Sequence, residues 1–304
     1  MKSVIAFFEE SFYSPKAVHK AVSVLMLPFS LLYCAINCIR FFLCREKRRF
    51  GIPIISVGNL TVGGSGKTPV SIALAKRYEN SAVVLRGYGR KSRGVVVVSD
   101  SKKLMCDVEV CGDEALAIAK ESGKIVIVSE KREDGIQKAV ELGADVVILD
   151  DAFGKCIKKL EILIDSSAKN RFCLPAGPYR FLRYFLRFAD IVLKEGRDFT
   201  REVYIENETD DMVLVTSIAN PSRLDRYIKK NIKKYRFADH HLFTKEEIEN
   251  IVKRERPKSL LVTVKDMVKL EKFGYDLSVM RLEIKFNQNI LRKIDEYVNS
   301  KGEI

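Results

Sequence analysis

Beyond residue 50 the chain alternates short apolar, β-rich runs with segments of helical pattern. The runs are Pro53–Val57, Ala82–Leu85, Val95–Val98, Lys124–Val128, Asp145–Asp150, Ile162–Ile164 and Ile191–Leu193. Strands spaced in this way predict a mostly parallel, doubly wound α/β sheet with helices on both faces, and ligands gather at the ends of such strands.

Around Glu195–Asp211 the composition turns polar, and a new strand is expected at Met212–Thr216. After it come predicted helices at Ser222–Lys230, Lys245–Lys253, Asp266–Phe273 and Ile290–Asn299, with strands at Ser259–Val262 and Arg281–Lys285. The expected organisation is an N-terminal membrane-associated segment (1–50), a core (51–198), a linker (199–211) and a smaller C-terminal α/β domain (212–304).

The N-terminal pattern differs. Ala21 to Cys44 is mostly apolar, yet Pro28 interrupts it and Arg40 lies inside it. Ser23, Ser30 and Asn37 recur every seven residues, which lines them up as a narrow polar stripe on a helix. This suits a helix lying in the membrane interface, with a spanning or a buried helix as the other readings. The basic collar Arg45-Glu46-Lys47-Arg48-Arg49 would sit against anionic head groups on the cytoplasmic side. The Met1-Lys2-Ser3 start carries no pattern of a removable signal peptide.

Composition narrows the partners. The 304 residues carry 53 Lys+Arg against 40 Asp+Glu, a formal charge of +13, which favours phosphates, acidic lipids or nucleic acid. No nucleic-acid motif accompanies the charge, so nucleic acid is not expected as a partner, and no obligate protein partner is inferred. Seven cysteines without a C-x-x-C pair predict free thiols in a reducing compartment rather than a zinc site.

The strongest chemical signal follows the first strand. Gly58-Asn59-Leu60-Thr61-Val62-Gly63-Gly64-Ser65-Gly66-Lys67-Thr68-Pro69 leads into a helical run, Val70–Tyr78. A glycine-rich turn points backbone N–H groups at phosphate oxygens, and the helix N-terminus adds its positive dipole end. Residues 61–68 are the expected nucleotide loop of a P-loop NTPase-like core, with Lys67 on the β- and γ-phosphates and the Thr68 hydroxyl on Mg²⁺. Thr61 stands where the strict pattern has glycine. Asp150 and Asp151 end the apolar strand Val146–Leu149, where such an enzyme places a carboxylate for Mg²⁺.

These stretches resemble a known family, the tetraacyldisaccharide 4′-kinases of lipid A biosynthesis. The similar blocks, in family order, are SVGNLTVGGSGKTP (56–69), LRGYGRKSRG (85–94), GDEA (112–115), ILDDAF (148–153), LPAGP (174–178), IANPSRL (218–224), FADHHLF (237–243) and TVKDMVKL (263–270). The resemblance implies ATP and Mg²⁺ as cofactors. It implies phosphorylation of the 4′ hydroxyl of an acylated glucosamine disaccharide 1-phosphate at the cytoplasmic face of the bacterial inner membrane, with the protein held there peripherally by its N-terminal helix. It also implies that Asp113 takes the hydroxyl proton, supported by His240 from the second domain, so that the site is complete only on domain closure. Glu114 joins the metal-directed carboxylates. A carboxylate within hydrogen-bond reach would orient a sugar hydroxyl and accept its proton. Asp113 also suits a helix N-cap, and His241 is an alternative partner to His240.

Arg86, Arg90 and Arg93 form a basic turn that would hold phosphates, and Asn59 and Lys155 complete the expected acceptor contacts. Where the family usually reads DDGFQH, this chain has Asp150-Asp151-Ala152-Phe153-Gly154-Lys155. Two rival readings are a P-loop GTPase or metallochaperone, which needs an N-K-x-D motif that Val264-Lys265-Asp266 matches only at its tail, and a non-catalytic membrane scaffold.

Overall fold

The structure, a computed structural model, describes residues 12, 17–44, 47–63, 66–166, 168 and 170–302. Arg45 and Glu46 of the basic collar, and Gly64 and Ser65 of the glycine-rich loop, lie outside the described residues.

In chain order the helices are α1 (Ala17–Leu25), α2 (Leu27–Phe42), α3 (Lys67–Arg77), α4 (Val108–Cys111), α5 (Asp113–Ser122), α6 (Arg132–Glu141), α7 (Lys245–Glu255), α8 (Val264–Leu270) and α9 (Gln288–Asn299). The strands are β1 (Ile54–Asn59), β2 (Ser81–Leu85), β3 (Val96–Asp100), β4 (Ile125–Val128), β5 (Val146–Asp150), β6 (Leu160–Ile164), β7 (Ile191–Leu193), β8 (Phe199–Glu206), β9 (Met212–Thr216), β10 (Lys233–Arg236), β11 (Ser259–Thr263) and β12 (Leu277–Phe286).

The chain forms two compact units, each discontinuous in sequence. One comprises Met1–Ser71, Asp145–Phe199 and Phe286–Ile304, the other Ile72–Ala144 and Thr200–Lys285. The chain-order division expected from composition does not describe them. Helix α9, expected in the C-terminal domain, belongs to the first unit, where Tyr297 Oη donates to Ile54 O at 3.1 Å. The expected linker 199–211 opens with strand β8. Its burial alternates along the strand, so every second side chain faces water and the segment reads as polar by composition.

In the first unit β1 pairs in parallel with β5 and β6, and β6 with β7. Ile54, Ile55, Val57, Val147, Ile148 and Leu149 are fully buried, as strands covered on both faces require. The register sets Val57 opposite Asp150 and Asn59 opposite Ile164, which brings Asn59 and Asp150 together at the C-terminal ends of two neighbouring strands.

Helices α1 and α2 belong to this unit and are bent by 56° at Met26, with Pro28 in the first turn of α2. Neither helix alone is long and apolar enough to cross a membrane, although the bent pair passes by length and composition. The polar stripe faces the protein. Ser23 and Ser30 are buried, and the Ser30 hydroxyl donates to Cys173 O at 2.6 Å while accepting from the Ala176 N–H at 2.9 Å. Tyr33, Cys34, Cys38 and Phe41 pack onto a cluster built on Leu60, Leu163, Tyr179 and Phe185. Leu25, Phe29, Leu31, Leu32, Ile39 and Phe42 are exposed, each at 58% or more of its surface. Cys44 and Cys156 form a disulfide, Cα–Cα 5.6 Å, where free thiols were expected; Cys34, Cys38, Cys106, Cys111 and Cys173 are free.

In the second unit β2 runs parallel to β4 and β3 antiparallel to it. A five-stranded sheet has the order β10-β9-β11-β12-β8. Along β9, Val213 and Val215 enter one core with Ile248 and Leu270, while Met212 and Leu214 enter another with Leu224 and Ile232. Period-two alternation in an unbroken apolar run thus fills two cores from one strand.

Candidate active site

The first constellation lies at the C-terminal end of β1. Gly63 and Gly66 both take φ of +88°, a backbone that side chains rarely adopt, which is why glycine stands at these turns. Lys67 and Thr68 open α3. The Thr68 hydroxyl donates to Asp150 Oδ2 at 2.9 Å, a hydroxyl and a carboxylate set side by side as hard oxygen donors. Lys67 Nζ donates to Asn59 Oδ1 at 3.1 Å and lies 4.0 Å from Asp151.

Asp151 sits just past β5 with φ of +58°, and Arg180 holds it by a two-armed contact, 2.9 Å to Oδ2 and 2.8 Å to Oδ1. The same guanidinium donates to Asn59 Oδ1 at 2.7 Å. Burial works against the Arg180 charge, and the Asp151 carboxylate outweighs it, so the net pull is upward. Arg180 is thereby the hub that orients Asn59 and Asp151 around Lys67. It stands two residues beyond the LPAGP block, and only that proximity in sequence hinted at it.

Three expected roles change here. Asn59 is buried, at 1% exposure, and bonds Thr61, Lys67 and Arg180, so it positions the loop and does not meet an acceptor. Val62 gives its N–H to Pro178 O at 2.8 Å, and that donor is not aimed at phosphate. Thr61 is buried against Asn59 and Ser166, 3.0 Å from the latter's hydroxyl, which explains why a side chain is accepted at a position that usually holds glycine.

The second constellation lies in the other unit. Gly112, with φ of +88°, separates α4 from α5 and delivers Asp113 to the first position of α5. Asp113 is 4% exposed. His240 Nδ1 lies 2.9 Å from Asp113 Oδ1 and 3.2 Å from Oδ2. His240 itself takes φ of +58°, held by N–H donation to Ser217 O at 3.1 Å, and its ring packs 5.6 Å from that of Tyr88. A non-glycine residue fixed in this region marks a place where surrounding contacts override local preference.

Helix α8 supplies two lysines one turn apart on one face. Lys269 is almost fully buried, 3.5 Å from Asp113 Oδ2 and 3.0 Å from Asp266 Oδ1, and it also donates to the Ser217 hydroxyl. Lys265 lies 3.8 Å from Asp113 Oδ2, 3.1 Å from Asp239 and 3.3 Å from His240 Nε2. Burial pushes the Asp113 carboxyl upward, but the His240 hydrogen bond and the two lysines outweigh it and hold the group below its ordinary value. Burial pulls Lys265 down, and Asp113, Asp239 and Glu114 raise it by more.

His241, the alternative partner, bonds Glu247 at 2.9 Å inside the capping box of α7 and stacks on Phe237. Its contacts are structural. Asp266, the apparent tail of a base-reading motif, is fully buried and accepts from Thr216, Ser217 and Thr263. It cannot read a base. Lys265 and Lys269 lay inside the TVKDMVKL block, but nothing in their spacing named Asp113 as their partner.

Among the basic residues, Arg90 is committed to Glu130 at 2.5 Å, Gly94 O at 2.6 Å and Val128 O at 3.3 Å, with its side chain 2% exposed. It braces its own loop and is not available to a phosphate, contrary to expectation. Arg86, Arg93 and Lys155 are exposed. Glu114 follows Asp113 on α5.

The profile of the family described as tetraacyldisaccharide-1-P 4'-kinase matches residues 22–211 and 199–299. A tetraacyldisaccharide 4'-kinase of Aliarcobacter butzleri is 44% identical over 96% of each chain, and one of Helicobacter pylori is 42% identical over 99% of this chain and 97% of its own. The solved structure of LpxK from Aquifex aeolicus in complex with ATP has a TM-score of 0.75 and 27% identity, covering 91% of this chain and 99% of that one. With a family match over most of its length and relatives of this identity, the chain belongs to the tetraacyldisaccharide 4'-kinase family.

Proposed function

We propose that this chain passes the γ-phosphoryl group of ATP to the 4′ hydroxyl of an acylated glucosamine disaccharide 1-phosphate, a lipid A precursor. The observation that carries the reading is Thr68 at 2.9 Å from Asp150 beside Lys67, at the mouth of a glycine-rich loop. Family membership supplies the acceptor. No feature supports the GTPase alternative.

Thr68 and Asp150, with Asp151 as a further carboxylate, would hold Mg²⁺, since Mg²⁺ takes one or two carboxylates and leaves its remaining positions to water and phosphate. Bound there, the ion would neutralise charge developing on the β- and γ-phosphates. The turn at Gly63 and Gly66, with Lys67 and Thr68, would cradle the phosphates, and Lys67 would follow the charge that shifts toward the leaving oxygen.

Asp113 orients the acceptor hydroxyl and takes its proton as the oxygen–phosphorus bond forms and the bond to ADP breaks. A carboxylate held below its ordinary pKa is a weak base, but phosphoryl transfer has a loose transition state in which the proton leaves late. Orientation therefore matters more than base strength. His240 fixes the rotation of the carboxylate and stabilises the protonated form after transfer. Arg86, Arg93 and Lys155 are the remaining candidates for the anionic groups of the substrates.

The first unit docks on the cytoplasmic face of the inner membrane through the apolar side of α1 and α2, with their polar stripe turned toward the protein. An inward polar stripe under an outward apolar face is the reverse of an ordinary surface helix and suits the boundary between head groups and acyl chains.

The test is purified full-length protein with radiolabelled ATP and the acylated disaccharide 1-phosphate in detergent micelles. Labelled lipid is expected. Hydrolysis that ignores the lipid, or no turnover in any condition, would overturn the proposal.

A further inference from the structure

A second feature of the first unit has no part in phosphoryl transfer. The segment after α2 is stitched to the stretch before β6: Arg48 N–H donates to Cys156 O at 3.0 Å, and Lys158 N–H donates to Arg48 O at 2.9 Å. This stitch brings Lys47 alongside Lys155, Lys158 and Lys159, and α9 adds Lys293. Together they border a cavity of about 450 Å³ whose apolar wall includes Phe41 and Phe188.

The charge balance of the cavity is positive. Its five lysines face three carboxylates, Glu161, Asp190 and Glu296. Glu161 is buried against Lys159 at 3.0 Å, and Asp190 holds the Glu161 N–H at 2.7 Å. Lys159 and Glu161 therefore pair with each other, and the remaining lining charges are Lys47, Lys155, Lys158 and Lys293 against Asp190 and Glu296. Glu296 is exposed on α9, 3.8 Å from Arg292. The lining thus sets lysines beside phenyl rings, a combination that selects an anionic amphiphile over a free sugar or a nucleotide base.

Position names the source. Phe41 lines the cavity, and the next two residues, Phe42 and Leu43, belong to the exposed apolar face at 59% and 69% exposure. The cavity therefore adjoins the end of the surface assigned above to the bilayer. We propose that it seats the phosphate head group of an anionic membrane phospholipid, with its first acyl carbons against Phe41 and Phe188, separately from the acceptor lipid. Lys155, nearest in sequence to the Asp150–Asp151 turn, is left to the acceptor. The inference rests on the membrane docking of α1 and α2.

The experiment uses full-length protein in neutral detergent micelles, titrated with fluorescent phosphatidylglycerol or phosphatidylcholine. Phosphatidylglycerol should bind at one per chain, with phosphatidylcholine at least about tenfold weaker. Lys158→Glu/Lys293→Glu should weaken phosphatidylglycerol binding by about tenfold or more, on the scale of surface lysines near anionic lipid. Its kinase turnover in micelles lacking phospholipid should match wild type. Lys229→Glu/Lys230→Glu, which removes equal charge elsewhere, should bind as wild type. Equal losses in both double variants would mean diffuse attraction and overturn the site. So would unchanged phospholipid binding with a raised KM for the disaccharide, which would give the cavity to the acceptor. Micelle binding that persists while the protein fails to sediment with anionic vesicles would keep the cavity and remove the docking surface.

Discussion

Lys269 Nζ stands between Asp113 Oδ2 at 3.5 Å and Asp266 Oδ1 at 3.0 Å, a nearly inaccessible cation serving two buried carboxylates. Removing it leaves both without their shared counter-charge. Lys269→Met should destabilise the protein by about 3–5 kcal/mol, the scale of breaking a buried ion pair from one side. Urea unfolding followed by circular dichroism would measure it. A loss below about 1 kcal/mol would show that the carboxylates do not depend on the lysine.

Asp113→Asn keeps the shape of the side chain and removes its capacity to take a proton. Turnover should fall by about two to four orders of magnitude, with KM for ATP little changed. His240→Gln should lower kcat by less, because the carboxylate remains. Initial rates at saturating lipid separate the two effects.

Lys265 offers a test by pH. Burial pushes Asp113 up, and His240, Lys265 and Lys269 more than offset it, so the carboxyl titrates below its ordinary value. In the proposed mechanism activity needs the ionised form, so it should be lost as pH falls through that pKa. Lys265→Met removes one cation, raises the pKa and should move the acid limb of kcat/KM to higher pH, leaving the plateau in place. Stability follows the same sign: the contribution is present above the unfolded pKa and disappears as pH drops through the folded one. An acid limb that stays put would detach Lys265 from Asp113.

Arg180→Lys keeps the charge and discards the fork that grips Asp151 with two arms and reaches Asn59. The loop and the acidic turn lose their common brace. We expect kcat/KM for ATP to fall by about tenfold to a hundredfold, in line with one or two charge-assisted hydrogen bonds. Isothermal titration with an ATP analogue would show whether the loss is in binding.

Much of the candidate site is legible in the sequence. The glycine-rich loop, Lys67, Thr68 and the paired aspartates stand in one stretch or at one strand end, so local pattern identifies them. Asp113 and His240 came from resemblance, which expected them to meet on closure of two domains; they lie 2.9 Å apart within one compact unit. Arg180, Lys265 and Lys269 were not legible as site residues, because what defines them is a partner tens of residues away. Arg90 misled for the opposite reason: a guanidinium in a basic turn looks available until its acceptors, Glu130 and two carbonyls, are seen. The strand β8 was hidden because alternating exposure dilutes its apolar content. The side of α2 that the serine stripe would face could not be derived from period alone.

That orientation has a mechanical result. Each residue step turns a helix by about 100°, and Ser30, bonded to both Cys173 and Ala176, denies α2 that freedom. Docked as proposed, a helix unable to roll would present one generatrix to the lipid, so that the plane of the bilayer would become a fixed reference for the first unit. Encounter with a lipid-borne acceptor would then be a search in two dimensions at a single tilt.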